Sequence, residues 1–245
     1  MNFNQKYILN KYQNDGISII PLNAIQKIAK ENMLKKIKKG IYTQEYIICP
    51  ICESNNFDVL SEKDRYGLPL SVSLCTCCGL LMTNPRMNQG SYDLFYKEDQ
   101  KKLYVGEDIP TEKYFEKLYK RGESIFSYVN QYTNNFQRIL EIGCSSGGVL
   151  KYFKDQGKDV RGCDLNETYI EYGKKSMGLD LYATSLENLV FEEWVPDLVI
   201  YSHTLEHILN PIEIKNEIEV FDIDWPWQFK IAEILYREIT YGLLH

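Results

Sequence analysis

The chain lacks any run of eighteen or more apolar residues, so it offers no segment suited to crossing a membrane as a helix. Its first residues, Met1 to Lys11, lack the apolar stretch of a secretory signal. Together these absences lead to the expectation of a cytoplasmic protein. An excess of basic charge is missing too. Against 28 Lys and Arg stand 34 Asp and Glu, a net charge of −6, which argues against general nucleic-acid binding. What is present suits a globular protein. At 245 residues and 44% hydrophobic, the chain has room for one ordinary domain plus a small one, with a real core.

There are seven cysteines. In a reducing compartment, clustered cysteines favour a metal over disulfides. Five of them form two knuckles, Cys49-Pro-Ile-Cys52 and Cys75-Thr-Cys-Cys78-Gly79, with 22 residues between Cys52 and Cys75. Each knuckle turns tightly enough for two thiolates to converge on one ion, and four thiolates at tetrahedral corners suit zinc, with iron as the lesser alternative. Gly79 after Cys78 favours Cys49, Cys52, Cys75 and Cys78 as ligands and leaves Cys77 aside. Four protein ligands close a site, so the expected role is structural, and a unit of about forty residues needs such a staple to fold. Cys144 and Cys163 stand alone and read as small buried residues.

Four regions follow from the patterning. Residues 1–45 are polar and Lys-rich, with a helix-like run from Leu22 to Lys39. Its apolar positions Ile25, Ile28, Ala29, Met33 and Ile37 recur at helical spacing, and Lys35, Lys36, Lys38 and Lys39 read as a solvated face. Residues 46–86 hold the cysteine knuckles. Residues 87–133 read as a helical linker, with helices over Tyr92 to Tyr96 and Thr111 to Tyr132. From 134 onward strands and helices alternate. Strands are expected at Arg138 to Ile142, Asp159 to Cys163, Leu179 to Ala183 and Asp197 to Ser202, and helices at Gly147 to Gln156 and Asn166 to Met177, the last capped by Asn166 and stopped by Gly178. Such alternation means parallel pairing with right-handed crossovers: an α/β, Rossmann-like, mainly parallel sheet. Ligands of such sheets bind outside the carboxyl ends of the strands.

That edge carries the most specific motif. Leu140-Glu-Ile-Gly143-Cys-Ser-Ser-Gly147-Gly148 places an acid at a strand end, then a glycine-rich turn, then a helix, and Asp164 closes the next strand. A glycine turn lets backbone approach a ligand closely, and an acid at the tip of the second strand can accept hydrogen bonds from ribose hydroxyls. A dinucleotide site wants Gly-x-Gly-x-x-Gly with pyrophosphate at the helix N-terminus. Here the middle glycine is replaced by Ser145, and Glu141 would repel a pyrophosphate. A sulfonium ligand such as S-adenosylmethionine fits the charge better. A nicotinamide-dependent oxidoreductase stays as a rival reading.

The turn resembles motif I of the class I S-adenosylmethionine methyltransferases, Glu/Asp-x-Gly-x-Gly-x-Gly, with one glycine changed to serine. The second knuckle, followed by Gly79-Leu-Leu-Met-Thr-Asn-Pro85-Arg86 and Tyr92-Asp-Leu-Phe-Tyr96, resembles a bacterial group of methyltransferases with an N-terminal zinc unit. Many of these belong to surface-polysaccharide or sugar-modification clusters. Ser202-His203-Thr-Leu-Glu206-His207-Ile-Leu-Asn-Pro211 resembles that group's segment after the fourth strand. The resemblance implies a small-molecule acceptor, a sugar or nucleotide-sugar, with methylation on carbon or oxygen. It implies a cofactor site built from Glu141, Gly143, Cys144, Ser145, Gly147, Asp164, Leu165, Ser185, Leu186 and Ser202. It also implies His207, with His203 behind it, as the proton-removing base; pinning of the helix start by Glu206 and His207 is the structural alternative. The group more often carries an aspartate before Ala183-Thr-Ser185-Leu186, for the adenine amino group, and this chain does not.

Only 34 residues follow Pro211, with no Gly-Gly-bearing fifth strand and no terminal hairpin. A shortened or frame-shifted domain, or completion by a partner chain or a second copy covering the sheet edge, is expected. An amphipathic run from Gln228 to Tyr241, with Phe229, Ile231, Ala232, Ile234 and Leu235 on one face, is a candidate for that cover. A non-catalytic, zinc-stabilised relative is therefore the other reading.

Overall fold

The computed structural model describes residues 2–4, 8–191, 193–204, 207 and 209. The expected helix from Gln228 to Tyr241, along with Glu206 and Pro211, lies outside them. The chain forms two compact units divided between Asp108 and Ile109. The helices expected within 87–133 fall on both sides of that division.

The first unit carries strands β1 (Asn2–Asn4), β2 (Gln44–Glu45), β3 (Asn56–Ser61), β4 (Val72–Cys75), β5 (Leu81–Thr83) and β6 (Arg86–Met87), with helices α1 (Ala24–Lys38) and α2 (Gln89–Glu98). One sheet runs β1-β3-β4-β5, antiparallel except for the β1–β3 pair, and β2 pairs with β6. Helix α1 begins in a capping box, in which Asn23 accepts from the Gln26 N–H and Gln26 accepts from the Asn23 N–H, so two orphan donors are satisfied together. Ala29 and Met33 are buried in a core with Tyr42, Tyr66, Leu68, Met87, Phe95 and Leu103.

Two sequence expectations for α1 need correcting. Ile28 is 60% exposed, because at 3.6 residues per turn it falls just off the narrow stripe set by Ile25, Ala29 and Met33. Lys36 is not on the solvated face. Its ammonium bonds Glu98, Asp99 and Tyr42, and burial with this carboxylate pushes the Tyr42 hydroxyl's pKa well above its usual value.

The Asn-Pro-Arg motif has a structural part in this unit. Asn84 is 1% exposed, and its amide accepts from the Ile47 N–H and donates to the Ile47 carbonyl at 3.2 and 2.9 Å. Arg86 pairs with Glu45 across the β2–β6 ribbon. The strand after the second knuckle is thereby pinned to the strand before the first.

The second unit is the expected α/β sheet, with all four strands parallel in the order β10-β7-β8-β9. They are β7 (Arg138–Ile142), β8 (Asp159–Asp164), β9 (Asp180–Ala183) and β10 (Leu198–Tyr201). Helices α3 (Glu112–Val129), α4 (Gly148–Asp155) and α5 (Glu167–Met177) accompany them. Side chains alternate along each strand, so Ile139, Val160, Leu181 and Ile200 face one core with Val149, Leu150, Phe153 and Ile170. Leu140, Ile142, Cys163 and Tyr201 face the other, where Leu186, Leu189, Phe191 and Trp194 cover them. That second face is closed by a segment without regular helix, with the Arg161 guanidinium over the Phe191 and Trp194 rings. Helix α3 crosses α4 closely through two glycines, Gly122 and Gly148. A Cβ on Gly122 would stand 2.6 Å from the Val149 carbonyl oxygen, and one on Gly148 would stand 2.7 Å from that of Phe115. No helix among the described residues is long and apolar enough to cross a membrane.

Candidate functional site

In the parallel sheet, β7 is flanked by the strand that follows it, β8, on one side and by β10 on the other. This reversal of winding opens a crevice at the carboxyl edge. The residues of the glycine motif fill it. Gly143 (φ 73°) and Gly147 (φ 76°) are left-handed, as is Ser145 (φ 54°), which carries a Cβ in a conformation that usually falls to glycine. The turn is pinned by its neighbours. The N–H groups of Gly143 and Cys144 both donate to the Cys163 carbonyl, at 2.8 and 3.0 Å. The Ser145 N–H donates to Asp164 Oδ2 at 2.9 Å. Asp164 Oδ1 accepts from the Asn166 N–H at 2.8 Å, so the carboxylate is fixed at the tip of β8 with lone pairs left for further donors.

Other expected residues take their places along the same edge. Glu141 is 2% exposed on β7, in register with Ile200 and Gly162. Leu165 follows Asp164 in the bend before α5, half-buried. Ser202 and His203 follow β10, with His203 left-handed at φ 53°. Thr204 folds back over the glycine turn, donating from its hydroxyl to the Ile142 carbonyl at 3.1 Å. A Cβ at position 143 would collide with that Thr204 hydroxyl. His207 is half-buried in a short turn, its N–H donating to the Thr204 carbonyl at 2.9 Å. Ser185 and Leu186 stand beyond β9, where Ser185 precedes a single 3-10 turn and accepts from the Asn188 amide at 3.0 Å. They are the members placed farthest from the turn in strand order. Cys144 and Cys163 are buried in the two cores.

Sequence reasoning missed what α3 contributes. Tyr114 sets its hydroxyl 3.2 Å from Ser145 Oγ, and Arg121 Nη1 donates to Ser202 Oγ at 3.4 Å. These residues are seven apart on an amphipathic helix and share one face. The spacing is visible in the sequence, but nothing there says which strand ends that face meets.

The four knuckle cysteines converge separately, in the first unit. All four sulfurs lie within 4.8 Å of one another, with Cys49–Cys78 at 3.5 Å and Cys52–Cys75 at 3.6 Å. Zinc–sulfur bonds of about 2.3 Å at tetrahedral angles put sulfurs about 3.8 Å apart, so the cluster has the size for that ion. Each knuckle closes on a left-handed residue, Gly79 (φ 80°) in the second and Glu53 (φ 56°) in the first. The backbone N–H groups of Cys78 and Cys77 lower the Cys75 thiol's pKa, whereas burial and the neighbouring thiols raise those of Cys52 and Cys78. Cys77 is exposed and outside the cluster.

Residues 140–219 match the family model described as "Methyltransferase domain". That stretch starts inside β7 and takes in the glycine turn, Asp164 and the residues after β10. No significant match is found among curated proteins. Among solved structures, the chain is similar to the plantazolicin methyltransferase BpumL in complex with SAH, at 19% identity and a TM-score of 0.37, over 54% of this chain and 55% of that one. It is similar to SAM-bound CalS10, an amino pentose methyltransferase from Micromonospora echinaspora, at 16% identity and a TM-score of 0.33, over 39% and 43%. For DesVI of Streptomyces venezuelae the figures are 20% and 0.31, over 45% and 40%. The chain thus spans about half the length, or less, of these structures.

Proposed function

We propose that the protein binds S-adenosylmethionine at the β7–β8–β10 edge and transfers its methyl group to a small molecule, a sugar or nucleotide-sugar of surface-glycan synthesis, in the cytoplasm. The observation that carries this reading is the bond between the Ser145 N–H and Asp164. It fixes a left-handed turn and a carboxylate side by side, the pairing that suits a nucleoside without phosphate. The bound cofactor would supply an electrophilic methyl group on sulfur. The chain's part is to hold and orient. Asp164 accepts from ribose hydroxyls, with Leu165 beside it. Gly143, Cys144, Ser145 and Gly147 present backbone at close range, and buried Glu141 sets a negative potential beneath them. Ser185 and Leu186 flank the adenine side, and Ser202 bounds the far side. His207, or His203 in its place, takes the acceptor's proton, a role that suits imidazole near neutral pH. Cys49, Cys52, Cys75 and Cys78 hold one zinc ion as a closed structural site.

Calorimetry with S-adenosylhomocysteine, followed by transfer of labelled methyl from S-adenosylmethionine to a panel of nucleotide-sugars, tests the proposal. Tight binding of NADH with none of S-adenosylhomocysteine would overturn the cofactor assignment. Binding without transfer to any acceptor would favour the non-catalytic reading. A His207→Ala protein with undiminished turnover would remove His207 as the base.

A further inference from the structure

We infer that Arg121, on α3, is the anion-binding residue of the cofactor site and takes the carboxylate at the aminoacyl end of S-adenosylmethionine. The inference rests on the reading above and adds which group fixes the cofactor's polar tail. Strand order supplies the geometry. With the ribose on Asp164 at the tip of β8, the aminoacyl tail must run across the glycine turn of β7 towards β10, the strand on the other side. Two strand spacings of about 4.8 Å each bring it to the end of β10. There Arg121 Nη1 donates to Ser202 Oγ at 3.4 Å, which turns the guanidinium to the carboxyl edge of the sheet.

Among the described residues no carboxylate lies within ion-pair distance of Arg121, whereas Arg86, Arg138 and Arg161 each have one. The side chain is half-buried, so a partner there is less screened than on open surface. A guanidinium matches a carboxylate in two parallel hydrogen bonds. Tyr114, on the same helix face, meets Ser145 at 3.2 Å, so α3 borders both the turn and the end of β10. Glu141 on β7 is of opposite sign, and the pair would set a negative pole and a positive pole across the crevice, matching an ammonium and a carboxylate on one Cα.

The test compares two ligands on the full-length protein: S-adenosylhomocysteine, and its decarboxylated amine, which lacks only the carboxylate. The wild type should bind the first about 10- to 100-fold more tightly, the range for a hydrogen-bonded charged pair. In Arg121→Met that gap should close through weaker binding of S-adenosylhomocysteine alone, and Arg121→Lys should restore part of it. A gap that persists in Arg121→Met overturns the inference. So does equal weakening of both ligands, which would mark Arg121 as a structural residue. If the wild type binds neither ligand, the cofactor reading itself fails, a different result from either. Arg121→Gln, with its melting temperature measured alongside, gives the same readout should the Met variant not fold.

Discussion

Replacing Gly122 with alanine should destabilise the second unit, although on an isolated helix the same change would do the reverse. Gly122 lies in the interior of α3, where alanine is worth about 1 kcal/mol over glycine by helix propensity. Packing opposes this. The new Cβ would meet the Val149 carbonyl oxygen at 2.6 Å, the Tyr152 Cβ at 2.9 Å and the Val149 Cα at 3.0 Å. Two of these atoms are α4 backbone, which no rotamer change can move. Reaching ordinary contact of about 3.5 Å requires the helices to part by roughly 0.5–1 Å, and a gap of that size forfeits a quarter to a half of each dispersion well along the seam. The seam includes Leu118 and the Phe126 contacts with Tyr152 and Phe153. Overpacking of this kind costs about 1–3 kcal/mol, so with the propensity gain subtracted the net loss should reach up to about 2 kcal/mol. Trp194 packs against Phe191 and the Arg161 guanidinium in the second unit, so the change in tryptophan fluorescence as it is exposed in a urea titration reports on that unit. A lower midpoint with unchanged slope is expected. A variant more stable than the wild type by the propensity gain of about 1 kcal/mol would refute the close α3–α4 crossing.

A Cβ added at Gly90, in α2, would meet nothing within 4 Å, so Gly90→Ala should raise stability by a few tenths to about 1 kcal/mol, read by circular dichroism during unfolding. One zinc per chain is expected by elemental analysis. Cys49→Ser or Cys78→Ser should lose it, and Cys77→Ser should retain it; metal retained by the first two would break the ligand assignment. Asp197 accepts from Arg138 and from the N–H groups of Gln137 and Arg138, led by Arg138, and its pKa is held well below the usual carboxylate range. The folded state therefore binds fewer protons there than the unfolded chain. The stabilisation is present above about pH 4, the unfolded value, and is lost as pH falls further. Asp197→Asn should flatten the acid limb of the stability curve, and an unaltered limb would exclude the contribution. Gly143→Ala should weaken S-adenosylhomocysteine binding at least tenfold by calorimetry, because a left-handed alanine costs about 1–2 kcal/mol and its Cβ meets Thr204.

Much of this architecture was legible in local chemistry. Thr111 and Asn166 cap α3 and α5 with their side chains, and Gly178 ends α5 in a left-handed turn, all signals that reside within a few residues of where they act. The strands of the parallel sheet were readable because their apolar runs are bounded by such punctuation. Cys-x-x-Cys spacing likewise announces a shared site, since each knuckle makes its own turn. Ile28 and Lys36 were misread for the opposite reason. Whether a position on the edge of a helical stripe is covered depends on the partner element, and the anchoring of Lys36 by Glu98 and Asp99 comes from residues more than sixty positions away.

Local chemistry supplied the ingredients of the site: the glycine turn, Asp164 about twenty residues on, and four paired thiols. Their arrangement came from long-range packing. Sheet order put β10 beside β7 instead of β9, and so set Ser202 and Thr204 against Gly143. The glycine-mediated crossing of α3 over α4 brought Tyr114 and Arg121 to that edge. Strand order and helix docking arise from long-range burial of apolar faces, which local patterning makes possible but does not order.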